Sequence, residues 1–236
     1  MIKLLRIIHS IIIHLLAMIS LAIIIQTASF LAPFSRPRTE PYQAGGRLWG
    51  KFVLLISGAK VRVSGLENIP HKGAMIFAAN HQSSADAILT LACIPVNLRY
   101  LILKKYFRMP VYGWSWRKGG YIQVTGATPL AFYNIFKKMV ADLKGGQSFI
   151  IFPEGFRTFT GELNKFKYPS LLPAVEAGVP VVPVAISGSF KAMPRGSLII
   201  RPYPVKFSFG KPVYIRSKEE YPHKLEEIRE AIAKML

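Results

Sequence analysis

Met75-Ile76-Phe77-Ala78-Ala79-Asn80-His81-Gln82-Ser83-Ser84-Ala85-Asp86 is the stretch from which the rest of the chain can be read. Its first five residues are apolar without alternation, the pattern of a strand buried on both faces. A short polar turn follows, and helical spacing begins at about residue 85. A buried strand that turns into a helix is an α/β unit, and open α/β sheets bind ligands beyond the carboxyl ends of their strands. His81 stands at that end. Asp86 falls at the start of the helix, near enough to turn its carboxylate back on the imidazole. Such a carboxylate fixes the ring tautomer and leaves the other ring nitrogen to accept a hydroxyl proton. The same two residues also suit a helix cap and an ordinary loop histidine. Spacing alone does not choose between the two.

Working outward, β-rich runs occur at 61–64, 99–103, 121–124, 148–152, 181–186 and 205–209. Helical patterns lie between or around them at 47–57, 85–91, 130–143, 171–177 and 218–236. In the last of these, Leu225, Ile228, Ile232 and Leu236 form one apolar stripe. Apolar strands interleaved with helices predict an α/β fold. The expectation is a single domain with a largely buried mixed sheet flanked by helices, preceded by an N-terminal apolar membrane-anchor helix segment.

Leu4 to Phe34 is almost continuously apolar, with no fixed charge from Ile7 to Ile25. That is long enough for a helix to cross a bilayer core of ~30 Å, and too long for the apolar part of a signal peptide. Lys3 and Arg6 precede it and Arg36 and Arg38 follow, so flanking charge sets no orientation. A full span and a helix bent back into one leaflet both fit. Pro33, Pro37, Pro41 and Gly45-Gly46 predict a break after it, which divides the chain into an anchor and linker over 1–46 and a body over 47–236.

Lys and Arg number 31 against 12 Asp and Glu, a formal net charge of +19. Residues 216–236 are balanced, so the excess lies in what precedes them. A field this positive favours an anionic partner, whether a membrane face, an acidic substrate or carrier, or nucleic acid. No nucleic-acid motif is recognisable and the apolar segment argues against that class, so no nucleic-acid partner is expected. Cys93 is the sole cysteine, which excludes an internal disulfide and a cysteine-based metal cluster. No metal site and no cofactor are expected.

Two further blocks carry chemistry. Phe149-Ile150-Ile151-Phe152-Pro153-Glu154-Gly155-Phe156-Arg157-Thr158 is a second strand running into a turn with an acid and a guanidinium. Arg157 suits a bidentate grip on phosphate, and Gly155 permits close backbone approach. Val181-Val182-Pro183-Val184-Ala185-Ile186 is an apolar run with a proline inside it, odd for a central strand.

In this order the three blocks resemble the glycerolipid acyltransferase family, the lysophosphatidic acid acyltransferases in particular. That family carries Asn-His-x4-Asp, then Phe-Pro-Glu-Gly-x-Arg-Ser, then a Val-Pro-Val-like block; here Thr158 replaces the usual Ser. Lys104 and Lys105, ahead of Pro110 and Gly113-Trp114, look like the family's lysine-rich segment. The resemblance covers roughly residues 49–213. It departs at Thr125-Gly126, where the family has Asp-Arg, an arginine associated with the phosphate-bearing acceptor.

The resemblance implies a membrane enzyme of phospholipid biosynthesis with its active domain on the cytoplasmic face. The donor would be acyl-CoA or acyl carrier protein and the acceptor a lysophospholipid, 1-acyl-sn-glycerol 3-phosphate first, held at an anionic membrane surface. His81 and Asp86 would be catalytic. Arg157, with Lys104 or Lys105, would hold the acceptor phosphate, and Gly155 and Thr158 would belong to the same binding loop. Glu154 either serves the acceptor site, as the resemblance implies, or orients Arg157. Glycerol 3-phosphate or another lysolipid is the nearest alternative acceptor. A basic, non-catalytic membrane adaptor is the alternative from another class.

Overall fold

The computed structural model describes residues 2–125, 128–201 and 203–236. Seven strands form one sheet: β1 (Val61–Ser64), β2 (Ile76–Ala79), β3 (Leu98–Leu103), β4 (Ile122–Val124), β5 (Ser148–Ile151), β6 (Val181–Ser187) and β7 (Val205–Phe209). Their order is β1-β7-β6-β2-β5-β3-β4. Only the β6–β7 pair is antiparallel, so the sheet is mixed, as expected.

Both faces of the sheet are covered, which accounts for the unbroken apolar runs at its centre. Alternate residues go to opposite sides. Ile76, Ala78, Phe149, Ile151, Val181 and Ala185 meet residues of α5 (Pro129–Lys144), α6 (Leu172–Ala177) and α8 (Tyr221–Met235). Met75, Phe77, Ala79, Ile150, Val182 and Val184 pack with Leu89 of α3 (Asp86–Cys93) on the other face. In α5 Met139 and Leu143 are buried in the core and Ile135 packs against it, while Leu130, Phe132 and Tyr133 stay exposed.

Pro183 sits inside central β6 without breaking it. Val181 exchanges both backbone bonds with Val213, so the residue two positions on faces the same flank. On that flank β6 passes from Val213 to Phe209 as its partner, and Pro183 contributes only its carbonyl, which accepts from Gly210 N at 2.8 Å. The missing N–H thus falls where the ladder shifts register.

The N-terminal segment is helix α1 (Ile2–Leu31), followed by α2 (Glu40–Ser57). Along α1 a stripe of Ile13, Ala17, Leu21, Ile25 and Ala28 is buried against Tyr42, Trp49 and Val53 of α2, and Trp49 Nε1 donates to Ala17 O at 2.8 Å. The other face exposes Leu4, Ile8, Ile11, Leu15, Ile19 and Ile23. Gly45-Gly46, expected to mark a break, instead lie inside α2. A Cβ at Gly45 would come within 2.6 Å of Ile24 Cγ2, and one at Gly50 within 3.0 Å of Ala92 N. These glycines allow helices to cross closely, a packing role that outweighs their poor helix propensity.

Candidate active site

The parallel strands β2, β5, β6 and β3 bring their carboxyl ends to one edge of the sheet, and the site is assembled there. Asn80 leaves β2 fully buried. Its Nδ2 donates to Ile186 O at 2.9 Å and its Oδ1 accepts from Ile186 N at 2.7 Å. The side chain thus extends the β2–β6 pairing by one step and fixes where the turn begins.

His81 comes next. Its Nδ1 lies 2.8 Å from Oδ2 of Asp86, a carboxylate with no exposed surface. The same oxygen accepts from the amides of Gln82 and Ser83, each at 2.7 Å. Asp86 occupies the first residue of α3, so its carboxylate reaches back over the turn and closes it, like a helix cap that also grips an imidazole. The ring stacks on Phe152 with centroids 4.0 Å apart and planes inclined by 20°. About a fifth of the His81 side chain, 21%, remains exposed. Among the described residues Nε2 makes no hydrogen bond, which is the condition of a base awaiting a substrate proton.

The turn after β5 is bound to this one through both backbone and side chains. Glu154, 1% exposed, accepts from His81 N through Oε1 at 2.6 Å and from Asn164 N and Nδ2 through Oε2 at 2.9 and 2.8 Å. Thr158, also 1% exposed, donates its N–H to His81 O at 2.8 Å, and its hydroxyl accepts from Gly161 N at 3.2 Å. The His81 peptide is thereby held from both sides. Arg157 bonds the Ser84 hydroxyl, which brings the guanidinium to the same turn as His81 and Asp86. Arg195 Nη1 donates to Arg157 O at 2.8 Å. Gly155 adopts φ +78°, and a Cβ there would meet the Lys167 side chain at 2.7 Å.

The structure therefore unites His81, Asp86, Glu154, Arg157 and Thr158, while Gly155 shapes the loop between them. Glu154 contacts neither Arg157 nor open space; it spans two turns. Lys104 and Lys105 begin a short 3₁₀ segment just after β3, on the same edge and exposed, with Lys105 Nζ 5.0 Å from the centre of the Tyr106 ring. Thr125 follows β4, and Gly126 lies outside the described residues. Sequence reasoning missed Asn80, Ser84, Phe152 and Asn164. Only Asn80 had a local signal, an amide ending a buried strand. Burial pushes the Cys93 thiol up to about 12, which disfavours the thiolate that a nucleophile needs.

Comparisons agree with this geometry. Residues 60–187 match the Acyltransferase family. Over 84% of its length the chain is 30% identical to a chloroplastic 1-acyl-sn-glycerol-3-phosphate acyltransferase, BAT2, of Brassica napus, and over 66% it is 31% identical to the protein of that name from Pseudomonas aeruginosa. It spans 58% and 62% of the length of these relatives. The crystal structure of the 1-acyl-sn-glycerophosphate (LPA) acyltransferase PlsC from Thermotoga maritima superimposes with a TM-score of 0.86 at 26% identity, covering 100% of this chain and 98% of that one. With a matched segment that spans more than half of the sequence and contains both bound turns, the chain belongs to the Acyltransferase family.

Proposed function

We propose that this protein transfers a fatty acyl group from a thioester to the sn-2 hydroxyl of 1-acyl-sn-glycerol 3-phosphate, making phosphatidic acid for phospholipid synthesis. The observation that carries this reading is the imidazole held by buried Asp86 and stacked on Phe152, with Nε2 unbonded. His81 Nε2 takes the hydroxyl proton as the acceptor oxygen attacks the thioester carbonyl. The C–S bond of the tetrahedral adduct then breaks, and the departing sulfur receives a proton to leave as a thiol. Asp86 holds the ring tautomer and faces the imidazolium that forms.

Arg157 holds the acceptor phosphate with help from Lys104 or Lys105. Gly155 and Thr158 shape the loop that presents it, and Glu154 supports binding from behind by fixing that loop to His81. Similarity to 1-acyl-sn-glycerol-3-phosphate acyltransferases, in sequence and in fold, favours this acceptor. Thr125-Gly126, standing where the family pattern has Asp-Arg and so lacking the arginine associated with a phosphate-bearing acceptor, favours a second reading in which another lysolipid is the acceptor.

We further assign 1–46 as anchor and linker and 47–236 as the acyltransferase domain, a division of roles, since α2 crosses residue 46 unbroken. α1 lies within one leaflet on the cytoplasmic face. Support comes from its buried stripe, docked on α2 from Ile13 to Ala28, with an apolar opposite face.

The test is thiol release by purified protein given acyl-CoA or acyl carrier protein and a panel of acceptors. Release dependent on 1-acyl-sn-glycerol 3-phosphate is expected. Release with a different lysolipid alone moves the assignment to the second reading. No release with any acceptor leaves the adaptor reading.

A further inference from the structure

Beside the catalytic edge lies a groove of about 890 Å³ that the proposed chemistry does not yet use. Gln82, next to His81, lines one part of it, and Lys60, Arg62, Lys191 and Lys206 line the rest. All four cations are exposed, and none is ion-paired among the described residues. Arg62 and Lys206 are direct register partners on β1 and β7. Like charges placed opposite one another across strands destabilise a sheet. Here one acid, the exposed Glu162, lines the groove against four bases. Gly188, at φ +90°, lets the chain pass close against Pro204 at the groove wall, since a Cβ there would lie 2.3 Å from Pro204 O. Lys191 Nζ bonds Tyr203 Oη at 3.1 Å and sits over its ring, so one cation is already positioned.

We propose that this groove binds the phosphorylated nucleotide end of a coenzyme A thioester. The inference rests on the acyl-transfer reading and extends it by naming the donor and its seat. A concave site of this size with clustered cations suits a small polyanion, whereas an acidic carrier protein needs a broad, open surface. The 3′-phosphate and pyrophosphate supply negative charge for Arg62, Lys206, Lys60 and Lys191. Gln82 links the groove to His81, so a pantetheine arm leaving it arrives at the base.

The experiment uses the full chain and the double variant Lys60→Glu/Lys206→Glu, with the double variant Lys211→Glu/Lys218→Glu, at exposed positions outside the groove, as a control of equal net charge. The KM for acyl-CoA should rise at least roughly tenfold in the double variant, with the acceptor KM and kcat changed little. Adenosine 3′,5′-bisphosphate should compete with acyl-CoA in the wild type, with affinity falling as salt rises, and should cease to compete in the double variant. An unchanged donor KM in a wild type that does turn over acyl-CoA overturns the groove assignment and leaves the acyltransferase standing. An equal rise with Lys211→Glu/Lys218→Glu overturns it too, as does exclusive use of acyl carrier protein. If no donor supports turnover, the acyltransferase reading fails instead. Calorimetry with the bisphosphate then decides the groove alone: binding lost in the double variant upholds it, and no binding overturns it.

Discussion

The loops that follow β2 and β5 leave neighbouring parallel strands at the same edge, and each carries one buried carboxylate. Asp86 makes all its bonds within five residues, to His81, Gln82 and Ser83. Glu154 makes its bonds across 73 residues to His81 N and across 10 to Asn164. The first acid faces a side chain that can change its protonation. The second faces backbone and amide donors that cannot. Burial is nearly the same in both, so what distinguishes the two carboxylates is the identity of their partners.

Substitutions can break this contrast or sharpen it. His81→Ala removes the base and should lower kcat by about 10²–10⁴-fold or more, with the fold kept by circular dichroism. Near-normal thiol release in that variant would falsify the assignment of His81. Asp86→Asn still accepts from the Gln82 and Ser83 amides but no longer presents charge to the ring. A drop in kcat of about 10²-fold or more is expected, with the acceptor KM nearly unchanged. Arg157→Ala should raise the acceptor KM about tenfold if the guanidinium grips phosphate equally in ground and transition states, and lower kcat if the grip tightens during reaction.

Glu154→Gln is the sharpest discriminator. One of its two oxygens becomes a donor facing a donor, which costs about 1–3 kcal/mol and lowers Tm by roughly 2–12 °C. Its kcat should fall far less than that of Asp86→Asn. A large kcat loss with unchanged Tm would move Glu154 to the reacting centre. The smallest effect belongs to Cys93→Ala, for which turnover should stay as it was. With the thiol pushed up to about 12, folded Cys93 should resist iodoacetamide at pH 8 and react quickly once unfolded. Reactivity of the folded form should climb only as pH approaches that value.

What could be read from residues alone was whatever depends on near neighbours. Apolar runs such as Met75 to Ala79 and 148–152 reported strands with both faces buried, because side chains alternate along a strand whatever it pairs with. The His81–Asp86 spacing allowed the imidazole–carboxylate contact that the structure shows, because a helix start so close by turns the carboxylate back over the loop. Other features waited for the strand order. Asn80 bonding Ile186, Glu154 bonding the His81 amide, and Arg157 meeting Ser84 all join segments that only the β6-β2-β5 arrangement brings together. Gly45-Gly46 signalled a break locally, yet the helix runs through them unbroken, with Gly45 packed against α1 and Gly46 against Leu91 of α3. The basic groove likewise required β1 beside β7 to set Arg62 against Lys206. A charge in a sequence carries no direction, and its partner is chosen by the fold.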